Sequence, residues 1–341
     1  MRLPCPWMCD SRDLRGFLGI INDNKDETMS KNYSYEELSR GLHLRAPVLM
    51  LDCLAVDAEA RSAMGCRQVT MNEAVFQGHF PGQPVMPGVL QVAMMDQAAR
   101  CLHEACFPGE GIPTVVALRK VKFRLPVTPG ASLKIACDVA QELPDGKVEY
   151  QVKNTLAGTD EIASSAFVTL ERKASAWFQP AQTSGKAPIL AELPETAVVS
   201  NPVAIMEHLP HRYPFMLIDG AYELGKSNTV IGYKNVTGSD PLVNAVSPCR
   251  FDYCFQIEAG AQLGCAGMLS QPENKGMLGF FMSIDSAEFL RPVLPGERLD
   301  IKITYEPHGR FGVANGEFYV GETKVAVGTI KFALVPKETA Q

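Results

Sequence analysis

The sequence predicts an α+β protein built from two copies of one module, each an antiparallel sheet wrapped around a long buried helix. Three observations carry this reading. Residues 121–130, Val-Lys-Phe-Arg-Leu-Pro-Val-Thr-Pro-Gly, return as residues 287–296, Ala-Glu-Phe-Leu-Arg-Pro-Val-Leu-Pro-Gly, and residues 47–52 return as 214–219. Such self-similarity in the same order is the mark of a duplicated unit. Each half also carries one long apolar segment, with Gln97 on the first answering to Gln262 on the second. Behind each segment come alternating stretches, Leu133 to Val139 and Leu299 to Ile303, with the period of half-buried strands.

Taken in order, residues 1–33 show no clear hydrophobic period and read as an extension, with Met29 a candidate alternative start. The first module spans 34–172. Its helix should open at Pro87-Gly88, since proline is tolerated at the first helical position, and stop before Pro108-Gly109. An Ala/Pro-rich connector occupies 173–202. The second module spans 203–337, with its helix from Tyr253 to Leu269, where Gly260, Gly264 and Gly267 would let a neighbouring backbone approach.

Composition fits this plan. The 341 residues suit two domains with sizeable cores, and the net charge of −6 argues against general nucleic-acid binding. No apolar run reaches the ~18 residues of a spanning helix, and the N-terminus lacks the apolar core of a signal peptide, so a cytoplasmic location without membrane insertion is expected. The ten cysteines, Cys5 and Cys9 among them, lack paired ligand spacing and read as reduced thiols rather than disulfides or a zinc site.

Residues 76–90, Phe-Gln-Gly-His-Phe-Pro-Gly-Gln-Pro-Val-Met-Pro-Gly-Val-Leu, resemble the active-site loop and helix start of the bacterial 3-hydroxyacyl-[acyl-carrier-protein] dehydratases, which have the hot-dog fold. In the second half, residues 209–215, Leu-Pro-His-Arg-Tyr-Pro-Phe, resemble the N-terminal signature of the same family. The resemblance implies a double hot-dog forming an intramolecular pseudo-dimer. It further implies a hydro-lyase of fatty acid or polyketide metabolism that needs no metal or organic cofactor. Its substrate would arrive on the phosphopantetheine arm of an acyl carrier protein.

The departures from the family are as informative. The family places a carboxylic acid on the helix a fixed distance after its histidine; after His79 that position is Ala93, and counting back from Glu258 lands near Asn244. Each module thus lacks what the other has. Family members are dimers whose sites take histidine from one subunit and acid from the other, which implies one intact site, His79 with Glu258, and one vestigial site. The two-module dehydratase domains of polyketide synthases look similar in this respect.

The chemistry asks for such a pair. Removing water from a 3-hydroxyacyl thioester requires a base for the C2 proton, a task suited to neutral imidazole, and an acid for the departing hydroxyl. Glu258 is the only charged residue from Phe255 to Leu269, so burial should raise its pKa, and Gln262 one turn later could orient it. Free amides at a helix start, near Gly88 and Val89 or near Cys254, could hold the enolate oxygen, each such donor being worth ~3–4 kcal/mol. Gly82 and Gly88 would let backbone reach the thioester or merely make turns. Asp96 and Arg100 read as an ordinary exposed i,i+4 pair. His211 and Tyr213 would shape the fold or the acyl tunnel. Arg119, Lys120, Lys122 and Arg124 read as a solvated strand face or a landing surface for an acidic carrier. Two other readings of the chain are a hot-dog thioesterase, using Glu258 alone, and a non-catalytic acyl-binding or scaffold subunit. Pairing of the pseudo-dimer into a homodimer also remains open.

Overall fold

A computed structural model describes residues 30–180 and 185–336. Cys5, Cys9 and nearly all of the expected N-terminal extension lie outside the described residues. The first half contains β1 (Lys31–Ser34), α1 (Tyr35–Leu42), β2 (Cys53–Asp57), β3 (Ser62–Gln68), α2 (Gly88–Cys106), β4 (Ile112–Phe123), β5 (Ser132–Glu142), β6 (Val148–Leu156) and β7 (Ile162–Lys173). The second half contains β8 (Val199–Ser200), α3 (Pro202–Met206), β9 (Gly220–Tyr222), β10 (Thr229–Asn235), α4 (Pro241–Asn244), α5 (Tyr253–Leu269), β11 (Met277–Phe289), β12 (Arg298–His308), β13 (Phe311–Val320) and β14 (Thr323–Pro336).

The strands form one sheet in the order β1-β2-β3-β5-β6-β7-β4-β11-β14-β13-β12-β10-β9-β8. Read from either end the order is the same, β4 answering to β11 and β7 to β14. The two expected sheets are therefore one, joined where β4 pairs antiparallel with β11, Ser283 opposite Lys122 and Ala287 opposite Leu118. That seam satisfies an edge strand of each module that would otherwise present unpaired amides and carbonyls.

The two long helices begin and end where the sequence placed them. Every residue of α2 from Val89 to His103 is buried, as is most of α5. A helix buried on every face must be enclosed on all sides. Leu133, Ile135 and Cys137 of β5 and Leu299, Ile301 and Ile303 of β12 supply inward faces, and one apolar core runs through both halves. Each fully buried aliphatic side chain there contributes on the order of 1.5–3 kcal/mol. The α5 glycines admit side chains rather than a backbone: a Cβ at Gly260 would lie 2.6 Å from the Phe318 ring, at Gly264 2.9 Å from Ile303, and at Gly267 2.9 Å from Val230.

Three further expectations shift. Lys31–Tyr33, read as extension, pair with β2 together with Ser34, which caps α1 in a capping box with Glu37. The connector packs against the second half, with Ala187 and Ile189 buried against Ile231 and Tyr319. Cys53 and Cys66, read as thiols, face each other across β2 and β3 as a disulfide, a pairing that strand register creates and sequence spacing did not signal.

Candidate active site

Hydrogen bonds fix which residues of the two halves correspond. Gln97 accepts from the Met50 amide at 2.8 Å and donates to the Val48 carbonyl; Gln262 does the same with Leu217 and Phe215, at 2.9 and 3.0 Å. With these glutamines equivalent, Ala93 and Glu258 occupy the same helical position. The Arg212 amide donates to the Gly78 carbonyl, and the Arg45 amide to that of Ala245. His79 therefore corresponds to Val246, two positions past Asn244. Fourteen positions separate His79 from Ala93 but only twelve separate Val246 from Glu258, so counting back a fixed distance overshoots a shortened loop.

His79 sits in the loop between a 3-10 turn, Ala74–Gln77, and α2. Phe80 and Gln83 bond each other's backbone across a tight turn with Pro81 and Gly82 at its centre. Gly82 has φ +79° and open space where a Cβ would stand, so it is the turn-maker, as the third residue of a type II turn requires. The loop then folds back so that His79 Nδ1 lies 2.6 Å from the Val85 carbonyl. A carbonyl only accepts, so Nδ1 carries the proton and Nε2 keeps its lone pair. Burial, then the neighbouring His211, push the His79 pKa down to about 4, which leaves the ring neutral near pH 7.

Glu258 is buried in the second turn of α5, where Gln262 donates to its Oε1 at 2.9 Å. Between it and His79 stands His211, from the segment crossing the His79 loop. Its Nε2 is 3.5 Å from Glu258 Oε1, its ring centroid 5.4 Å from that of His79, and it packs edge-on against Phe80. The two halves thus bring an imidazole and a carboxyl together around a third polar ring. Burial raises the Glu258 pKa, as expected from its apolar run, but the hydrogen bond and charge of His211, the charge of His79 and the Gln262 amide outweigh it, and the net direction is down. Sequence reasoning missed this because His211 lies 47 positions away from Glu258.

The corresponding second site is apolar at every one of these places: Val246 for His79, Ala93 for Glu258, and Leu44 for His211, with Leu44 and Val246 bridged. Beside it, Asp96 and Arg100 form no exposed pair. Both are buried, their charged ends are 3.9 Å apart, Tyr253 donates to Asp96 at 3.2 Å, and buried Arg250 and Asp252 lie alongside. The packing of α2 against the start of α5 encloses what a single helix face would leave in water.

Of the remaining candidates, Gly88 opens α2 with the Phe123 ring resting on it, 2.8 Å from where a Cβ would stand, while Val89 is fully buried and could offer substrate only its backbone amide. The basic run on β4 divides: Arg119 pairs with buried Glu149 and stacks on Phe167, whereas Lys120, Lys122 and Arg124 are exposed. Tyr213 is 76 % exposed. Among the described residues no three His, Cys, Asp or Glu side chains are arranged to hold a metal ion, and no helix is long and apolar enough to cross a membrane.

Known proteins resemble this chain in sequence and in fold. Residues 56–165 match the family model described as ApeI-like, ApeI dehydratase. The 3-hydroxyacyl-[acyl-carrier-protein] dehydratase FabZ of Symbiobacterium thermophilum is 41% identical over 139 residues, 40% of this chain and 98% of that protein. Its namesake from Natranaerobius thermophilus is 38% identical over 136 residues, 39% of this chain and 96% of that one. Among solved structures, the dehydratase domain from the CurJ module of the curacin polyketide synthase covers 85% of this chain and 97% of its own at TM-score 0.60 and 13% identity. The dehydratase domain of the terminal rifamycin polyketide synthase module covers 87% and 100% at TM-score 0.54 and 10% identity. The double hot-dog fold is thus shared across nearly the whole chain, and by its sequence the chain belongs to the 3-hydroxyacyl-[acyl-carrier-protein] dehydratase family.

Proposed function

We propose that this chain dehydrates a 3-hydroxyacyl thioester to the trans-2-enoyl thioester at one composite site, with His79 as base and Glu258 as the group that handles the hydroxyl. The observation that carries the reading is the His79–Val85 hydrogen bond, which leaves a neutral imidazole with a free Nε2 beside a buried carboxyl. Nε2 takes the C2 proton and the C2–H electron pair moves toward the thioester carbonyl. As the C2=C3 bond forms, the C3–O bond breaks with its pair to oxygen, and the hydroxyl leaves as water after receiving a proton from the Glu258 side.

The enolate oxygen is assigned to the free amides at Gly88 and Val89. Tyr253, at the start of α5, reaches Asp96 on α2, three residues beyond Ala93. By the pseudo-symmetry the start of α2 faces α5 just beyond Glu258, which favours Gly88 over Cys254. An acyl carrier protein is the proposed donor. Exposed Lys120, Lys122 and Arg124 line a groove of about 920 Å³ in which Lys331 is paired with Asp285, and its wall residue Phe123 packs on Gly88, linking an electropositive surface to the helix start. Such a surface suits an acidic carrier despite the net negative charge.

The test is to incubate the purified chain with 3-hydroxyacyl carrier protein and follow enoyl formation and free thiol together. Enoyl product without thiol release is expected. Thiol release without enoyl product would make it a thioesterase, and neither would leave an acyl-binding subunit.

A further inference from the structure

We propose that His211 is a third functional member of this site, a positioning residue whose Nε2 holds the Glu258 carboxyl toward the departing hydroxyl. The inference rests on the composite-site reading above. Its first support is geometric. His211 is buried, its Nε2 points at Glu258 Oε1 from 3.5 Å, and its Nδ1 finds no hydrogen-bond partner among the described residues. A histidine buried to serve the fold normally has its polar atoms satisfied. Here, among the described residues, the ring's polar contact is the Glu258 carboxyl.

The second support is the comparison the chain makes with itself. Features that hold the modules together persist in both: Arg45 and Arg212 donate the same backbone bond, and Gln97 and Gln262 clamp the same turn. At the site itself the positions of His79, Glu258 and His211 all turn apolar in the other half, to Val246, Ala93 and Leu44. Leu44 fills the place of His211 there while remaining buried and bridged to Val246, so the crossing of the two segments does not require an imidazole. His211 departs together with the reacting pair.

The third support is chemical. Gln262 donates to Oε1 of Glu258 and His211 Nε2 faces the same oxygen, so the two together constrain how the carboxyl meets the departing hydroxyl. In the forward step the C2 proton goes to His79 Nε2, a proton from the Glu258 side goes to the C3 oxygen, and water leaves. The protonated His79 then loses its proton to solvent and the Glu258 side regains one from it, so no net proton is gained or lost.

The experiment uses the full chain and a 3-hydroxyacyl pantetheine thioester, with His211→Leu, the residue the other half carries, beside His211→Gln and His211→Asn. Gln can extend an N–H to the Nε2 position; Asn has the same amide but a shorter reach. His211→Leu is expected to lower kcat about 100-fold or more, within the usual range for the proton transfer it supports, with KM little changed. His211→Gln should recover at least about tenfold of that loss and His211→Asn should not. Should the Leu variant fail to fold, the Gln and Asn pair makes the same decision. A Leu variant retaining kcat, or Gln and Asn variants equally impaired, would overturn the role of His211 while leaving the dehydratase site intact. Inactive wild type, or turnover surviving Glu258→Gln, would remove the composite site and the role of His211 with it.

Discussion

His79 Nδ1 lies 2.6 Å from the carbonyl oxygen of Val85, six residues further along the same loop. That contact fixes the tautomer and the ring plane of the proposed base before substrate arrives. His79→Ala is therefore expected to lower kcat for enoyl formation by about 10²–10⁴, as is Glu258→Gln, whose amide oxygen can still accept from Gln262. Steady-state rates on 3-hydroxyacyl carrier protein, with circular dichroism to check folding, decide the matter.

The two residues belong to one chain, which makes a mixing experiment informative. His79→Ala protein combined with Glu258→Gln protein should recover no activity, because neither chain holds an intact pair. Recovery on mixing would mean that the site forms between chains.

Acidification should act on stability in two opposed ways. Burial lowers the pKa values of His79 and His103 to about 4 from an unfolded value of about 6.5. Between those values the unfolded chain binds more protons, so their contribution is present above pH 6.5 and is lost as pH falls toward 4. Asp96 is raised by burial to about 7, so it contributes in the other direction, stability being lost as pH rises from about 4 through 7. Asp96→Asn removes the second effect. Its urea midpoint should rise more steeply than that of wild type between pH 4 and 6.5; parallel curves would show that Asp96 does not titrate there.

Helix α5 depends on its small residues. Gly260→Ala places a methyl 2.6 Å from the Phe318 ring, in a core that has no room for it, and should cost about 1–3 kcal/mol in chemical denaturation. A variant at wild-type stability would mean that Phe318 can move aside.

Much of the fold was legible in the sequence because its signals are local. The Pro87-Gly88 start and the Pro108 stop bracket α2, and alternation at Leu133-Ile135-Cys137 marks β5. Other features depend on register between distant strands. Ladder pairing brings Cys53 opposite Cys66 and joins β4 to β11, and no local pattern records either. Asp96 and Arg100 misled for the same reason: their i,i+4 spacing is that of a surface pair, and only the packing of α2 on Tyr253 encloses them.

The sequence by itself determined the duplication, the two long helices and the identity of the proposed pair, because a repeat and a long motif are written in consecutive residues. Tertiary structure decided what surrounds that pair. It set His211 between His79 and Glu258, turned the carboxyl's pKa downward against its burial, and matched Val246, Ala93 and Leu44 as the apolar counterparts. The protonation balance of a site is a sum over neighbours in space, and here those neighbours come from three segments that meet only when the two halves close on each other.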